Sequence, residues 1–341
     1  MGFKILNLIA SEQIGFTGDV SMIADIGIDL GTSSIVVYVK NKGVVLKEPS
    51  LMAFARDTNE MKEIGEDAKV ALNQSTGDLV AVRPLQNGVI TDYRVAERLI
   101  RFFVQKSLGK LIFKKPRLNV SIPSTTTEVE RRAVYEAAKA IGAREVTLVE
   151  EPIAAAVGAG IDISKASGNM VVDIGGGITD IAVISLGGIV VKGSTKVAGN
   201  EFDAAIVNYV RRKYDALIGD TIAEDIKIKI GTAYHDMTEE TTEINGRDIA
   251  TGIPKKITLS SVEMAEALRE PISQIMEAIA KVLEETTPEL ATDILERGML
   301  LSGGGSLIRG LDRIIEKEIG VRAVLVPDPL KSVVIGTGSY V

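Results

Sequence analysis

The chain has 341 residues, 45% of them hydrophobic and 25% charged, which is a globular composition too long for one small core, so two domains or one large two-lobed body is expected. Its 39 basic and 46 acidic residues give a net charge of -7, which argues against a broad nucleic-acid interface. With no cysteine and a single histidine, His235, there is no disulfide framework and little material for a zinc site or a serine-histidine pair, so any metal is expected on oxygen ligands.

In chain order, residues 1–23 read as a lead-in. The apolar stretch Ile5 to Ala10 is short and lacks a cleavage pattern, so no secretory signal is expected and the cytosol is the default compartment. FKILNLIA could form a short amphipathic turn on a membrane or a disordered lead-in. From residue 26, IGIDLGTSSIVVYVKNKGVV reads as an apolar strand ending near Asp29, a turn at Gly31, Thr32 and Ser33, and a second strand. SLGKLIFKKPR then sets Leu111, Ile112 and Phe113 between Lys110 and the pair Lys114 and Lys115. An apolar tip with basic flanks suits insertion under an anionic leaflet, and it also suits a buried hairpin tip with solvated lysines.

Arg117 to Ser124 reads as a strand, and Thr125 or Thr127 with Glu128 or Glu130 gives a capping-box spacing for a helix that stops at Gly142. AREVTLVEEP returns as a strand leading into Glu151 and Pro152, and MVVDIGGGITDIAVISLGG follows at residue 170. Glu224 and Lys227 stand at i and i+3 on one helical face, a spacing that by itself suits a solvated ion pair. His235, in AYHDM, matches no catalytic pattern, and Asp236 to Lys256 reads as surface loops or a small hairpin. Ser260 with Glu263 caps a further helix, whose Ile272, Ile275, Met276, Ile279 and Leu283 follow core spacing. Alternating strands and helices make this an α/β chain.

The stretches around Asp29 and Asp173 share one grammar: apolar strand, aspartate, glycine-rich turn, apolar strand. Two copies in one chain imply a duplicated body whose turns face a common cleft. A run such as Gly175, Gly176 and Gly177 weakens a strand, so something requires it there. Backbone N–H groups in such a turn converge on anions, and missing side chains let a phosphate approach closely. Aspartates beside that phosphate could hold a hydrated Mg²⁺, which uses few carboxylates and keeps several waters. Either turn alone could be an ordinary hairpin.

The matching segments IDLGTSSIVVYVKNKGVVLKEPS, RPLQNGVITDY, VEEPIAAAVGAGI, VVDIGGGITDIAVISLGGIVV, AEDIKIKIG and LSGGGSLIRGLDRIIEKEIG run in order from about Ala24 to Val341. On these the chain resembles the MreB family of bacterial actin-like filament proteins, within the superfamily of actin, sugar kinases and heat-shock chaperones. The resemblance implies an actin-like two-lobed fold of duplicated ribonuclease-H-like domains around a nucleotide cleft. It implies a first lobe over 24–155 with a small subdomain inserted at about 50–90, and a second over 156–341 with its own at about 200–260. The last helix would return to the first lobe.

It further implies ATP or ADP with Mg²⁺ in the cleft. Gly31, Thr32 and Ser33 would form the first phosphate turn and Gly175, Gly176 and Gly177 the second. Asp29 and Asp173 would hold the metal through water, and Glu151 would position the attacking water. Gly303, Gly304 and Gly305, with Glu224 and Lys227, would border the adenosine. Leu111, Ile112 and Phe113 would enter the membrane. The implied partners are further copies of the chain in homopolymer filaments, the inner face of the cytoplasmic membrane and membrane-bound cell-shape proteins, with no nucleic acid.

The chain departs from the family at Ile178, where a threonine usually follows the third glycine, and slightly at Ser33 and Ser34. An isoleucine cannot hydrogen-bond a water, so slow ATP hydrolysis is expected with binding retained. The alternatives are a filament scaffold that barely turns nucleotide over, or a non-polymerising ATPase of the same superfamily.

Overall fold

The structure, a computed structural model, describes residues 25–75, 77–86, 89–90, 93–108, 115–234 and 238–340. Residues 1–23, the tip at Leu111, Ile112 and Phe113, and His235 lie outside them.

The first lobe opens with three strands, β1 (Asp25–Leu30), β2 (Ser34–Val39) and β3 (Gly43–Pro49). A small body follows, made of β4 (Met52–Ala55), β5 (Met61–Ile64), α1 (Glu66–Gln74) and β6 (Leu79–Val82), with Leu51, Ala53 and Ala68 as its own core. Next come β7 (Leu85–Gln86), β8 (Val89–Ile90), α2 (Tyr93–Leu108), β9 (Arg117–Ile122), α3 (Glu128–Ala140), β10 (Glu145–Glu150) and α4 (Glu151–Gly158). Thr127 and Glu130 are the pair that close the capping box of α3.

The second lobe repeats the plan with β11 (Asn169–Ile174), β12 (Thr179–Ser185) and β13 (Gly188–Thr195). After them run α5 (Gly199–Tyr214), β14 (Ala216–Leu217), α6 (Asp220–Ile230), β15 (Thr241–Asp248) and β16 (Pro254–Ser260). The chain closes with α7 (Ser261–Glu284), α8 (Pro288–Arg297), β17 (Met299–Ser302), a 3-10 turn at Gly304–Leu307, α9 (Leu311–Ile319), β18 (Ala323–Leu325) and α10 (Ser332–Ser339). Ser260 and Glu263 cap α7 as their spacing predicts. Ile272, Ile275 and Ile279 are buried in the lobe's core, with Met276 and Leu283 packed against it. The turn-rich stretch before Lys256 holds the β15–β16 hairpin.

The duplication is explicit in the sheets. One has the order β10-β9-β1-β2-β3 and the other β18-β17-β11-β12-β13, with an antiparallel meander on one side and parallel strands on the other in both. In β1, Ile26, Ile28 and Leu30 point into the lobe's core, which leaves Gly27 and Asp29 on the opposite face.

That opposite face meets helices exchanged between the lobes. α4 follows a strand of the first sheet, yet Ile153 to Ala156 pack with Val171, Ala182 and Ile184 of the second. α10 follows the second sheet and returns to the first, where Asn119 Nδ2 donates to the carbonyls of Thr337 at 3.0 Å and Tyr340 at 2.6 Å. The two helices cross at backbone contact: a methyl group on Gly336 would lie 1.8 Å from the Ala154 carbonyl oxygen, so only glycine fits.

Candidate functional site

Because the two meanders share a plan and face each other across the crossing helices, their first turns meet. A Cβ on Gly176 would fall 2.0 Å from Ser33 Oγ and 3.3 Å from Ser33 N, so the second turn lies directly on the first and has no room for a side chain. The second turn is closed by the Gly175 N–H donating to the Ile178 carbonyl at 2.9 Å. Its own carbonyls are taken by the start of α5, where Gly199 and Asn200 N–H groups donate to Gly175 and Gly176 at 3.1 and 2.7 Å. The first turn is backed by the Ser50 N–H, which donates to the Ser33 carbonyl at 3.0 Å. Thr32 is buried, and Gly31, Ser33, Gly175 and Gly176 are half-buried, as befits the floor of a cleft.

Four carboxylates gather around these turns. Asp29, one residue before the end of β1, accepts a hydrogen bond from Ser121 Oγ at 2.9 Å. Enclosure in the protein raises its pKa to about 6, against the pull of that hydroxyl and of the Lys47 ammonium. Asp173, its counterpart on β11, is only 6% exposed and its Oδ1 has no hydrogen-bond partner. Burial, followed by the charges of Asp29 and Asp180, pushes it to about 7, with the Ser302 hydroxyl opposing. Glu151 starts α4 and is 8% exposed; burial and then the charges of Asp29, Asp173 and Asp180 hold its carboxyl well above the usual range. Asp180 lies opposite Asp173 in the β11–β12 register and is raised to about 6, chiefly by burial.

Such a group of acids is self-repelling, and one buried oxygen among them lacks a partner. Bringing positive charge there would relieve both costs. Among the described residues no three His, Asp or Glu side chains converge tightly enough to ligate an ion directly. Asp29 and Asp173 therefore fit an ion held through its waters better than a protein-built cage.

The third glycine cluster backs onto the same place. Gly303 has φ +80°, and a Cβ there would lie 2.3 Å from the Ile174 carbonyl oxygen and 2.9 Å from Asp173 Oδ1. A Cβ on Gly305 would lie 2.4 Å from Ile174 Cγ2, while Gly304 meets the Leu330 side chain. The segment beyond is joined to the end of α6, where Arg309 donates to the carbonyls of Gly231 and Ile230 and the Ala233 N–H donates to the Arg309 carbonyl. Lys227 lies on α6 and Glu224 is exposed one turn earlier. Lys227 does not form the solvated pair that its spacing from Glu224 suggests. It is half-buried, pairs with Asp203 at 2.8 Å and donates to the Gly199 carbonyl at 3.1 Å, which ties it to the second turn.

Ile178 is half-buried at the turn's exit. The neighbouring Thr179 cannot take over a water-binding role, because its hydroxyl is buried and donates to the Val197 carbonyl at 2.7 Å. Ser121, Ser124 and Asp203 also belong to this neighbourhood and escaped the reading of the sequence. No local pattern marks them, since each acts on a partner far along the chain.

Residues 23–341 match the family model of the MreB/Mbl protein. The cell shape-determining protein Mbl of Bacillus cereus is 48% identical over 314 residues, covering 92% of this chain and 94% of that protein. The cell shape-determining protein MreB of Escherichia coli is 47% identical over 319 residues, covering 92% of each. Among solved structures, MreB5 of Spiroplasma citri bound to AMPPNP superposes with a TM-score of 0.89 at 40% identity, over 93% of this chain and 96% of that one.

Proposed function

The chain belongs to the MreB/Mbl family and has its actin-like, two-lobed fold, and from that premise we propose that it binds ATP with Mg²⁺ between its lobes, hydrolyses it slowly and assembles with its own copies into filaments at the membrane. The observation that carries this reading is the contact of Gly176 with Ser33 beside Asp29, Glu151 and Asp173. Gly31, Thr32 and Ser33 on one side and Gly175, Gly176 and Gly177 on the other bind the phosphates through the backbone. Asp29 and Asp173 hold the water shell of the metal, and the unpartnered Oδ1 of Asp173 is the atom such a shell would satisfy. When bound, magnesium supplies positive charge that offsets the phosphates and the carboxylates together. Gly303, Gly304 and Gly305 border the adenosine opposite Glu224 and Lys227.

Glu151 orients the attacking water. Burial and its acidic neighbours hold its carboxyl well above the usual range, and positive charge nearby would lower it and favour the carboxylate that accepts a hydrogen bond from that water. The water oxygen then bonds to the terminal phosphorus as the bond from that phosphorus to the ADP oxygen breaks, one proton staying on the phosphate and the other passing to solvent, which gives ADP and phosphate. Phosphate release by Glu151→Gln is expected to fall about 100-fold with nucleotide affinity retained. An unchanged rate contradicts the assignment.

A second reading, a nucleotide-binding scaffold with minimal turnover, is favoured by Ile178 and by the engaged hydroxyl of Thr179. Pelleting combined with phosphate release separates the two. Head-to-tail contacts between identical copies are heterologous and leave open filaments; electron microscopy with and without ATP tests for them. Leu111, Ile112 and Phe113 are the proposed anchor at the inner face of the cell membrane, where membrane-bound cell-shape proteins are the further candidate partners. Among the described residues no helix is long and apolar enough to cross a membrane. Replacing those three residues with Ser is expected to abolish co-sedimentation with anionic liposomes, and unchanged binding removes the anchor.

A further inference from the structure

The corner between β9 and α3 is a buried junction of the two lobes that borders the carboxylate group, and Ser124 itself has no role in the chemistry above. Ser124 sits there with none of its surface exposed, and the second lobe holds all three of its polar groups. Its N–H and its hydroxyl each donate to the Asp180 carboxylate at 2.6 Å, and its carbonyl accepts from Lys192 Nζ at 2.5 Å. Next to it, the Thr125 hydroxyl lies 3.2 Å from that of Ser194. Strand register explains the grouping. Asp180 stands between Asp173 on β11 and Ser194 on β13, and Lys192 is opposite Ala182, so these residues share one face of the second sheet. On the first-lobe side, Ser121 of the same β9 end donates to Asp29. One short piece of chain therefore touches Asp29 at one end and Asp180 at the other.

We infer that Ser124 is a latch that holds the lobes closed around the nucleotide and slows its release. The inference rests on the nucleotide reading of the cleft. Hydrogen bonds to a buried carboxylate are roughly twice as strong as neutral ones, and parting the lobes strands Asp180 without either donor. Ser124 and Lys192 are positioning residues, outside the phosphate and metal groups, so each can be changed with the turns intact.

The test is the rate at which excess ATP chases a fluorescent ATP analogue from the magnesium-loaded full chain. Ser124→Ala is expected to release it about tenfold faster, and Lys192→Met about threefold faster. Lys192→Arg, which keeps the cation, is expected to stay near the natural rate. Lys192 is an exposed residue, so Lys192→Met should leave the melting temperature unchanged, which separates a latch from a general loss of structure. Release as slow in both variants as in the natural chain overturns the latch while leaving the nucleotide site standing. If the natural chain takes up no analogue at all, the site and the latch fall together.

Discussion

Asp29 and Asp173 each have a hydroxyl on the neighbouring strand, Ser121 and Ser302, but Asp29 also feels a lysine while Asp173 is enclosed among other acids with one oxygen unpartnered. The backbone plan is the same on both sides, down to the strand order of the sheets. What differs is how each lobe satisfies its carboxylate. The first lobe adds a lysine to its hydroxyl, and the second leaves one oxygen that a bound cation's water can meet. A duplicated backbone can thus carry two unequal halves of one site.

The largest effect is expected at the point where the halves touch. Gly176→Val places side-chain atoms where Ser33 already stands, and nucleotide affinity measured by calorimetry is expected to fall about 100-fold, within the range that overpacking produces. Retained affinity would mean the turns do not share a ligand.

The inequality itself is sharpened by Asp173→Asn beside Asp29→Asn. Both should weaken magnesium-dependent binding. Both should also raise the melting temperature of the nucleotide-free protein, Asp173→Asn the more, by at least about 3 °C, because burial and its acidic neighbours raise Asp173 further than Asp29. Equal shifts in calorimetric scans would contradict the asymmetry.

The same inequality has a pH dependence. Asp29, Asp173 and Asp180 titrate near 6 to 7 in the folded chain against 3.8 when unfolded, so the folded state binds more protons between those values. Their contribution to stability is therefore present at low pH and lost as pH rises from about 4 to about 7. Melting of the nucleotide-free chain followed across that window should show the loss, and Asp173→Asn should flatten it.

The smallest expected effect is at the exit of the second turn. Ile178→Thr should raise steady-state phosphate release a few-fold at saturating ATP, and an equal or slower rate removes the idea that the missing hydroxyl limits turnover.

The duplication could be seen in the sequence because each turn is spelled out in consecutive residues, an aspartate followed by glycines between apolar arms. The capping boxes at Thr127 and Ser260 are local for the same reason. Contacts between distant segments could not be seen there. Nothing in IPSTTTE announces that Ser124 meets Asp180, and Lys227 reads as a partner for Glu224 until folding brings Asp203 to it. The glycines of α10 look like poor helix formers in isolation, and their purpose emerges only from what packs on them, the crossing α4 at Gly336 and the Tyr38 ring of β2 at Gly338.

Titration calorimetry of ATP into the folded chain, with magnesium and then with a chelator, tests the central claim most directly. One saturable site per chain is expected, with an affinity that drops at least tenfold when the metal is removed. Absence of binding under both conditions, or uptake indifferent to magnesium, would contradict it.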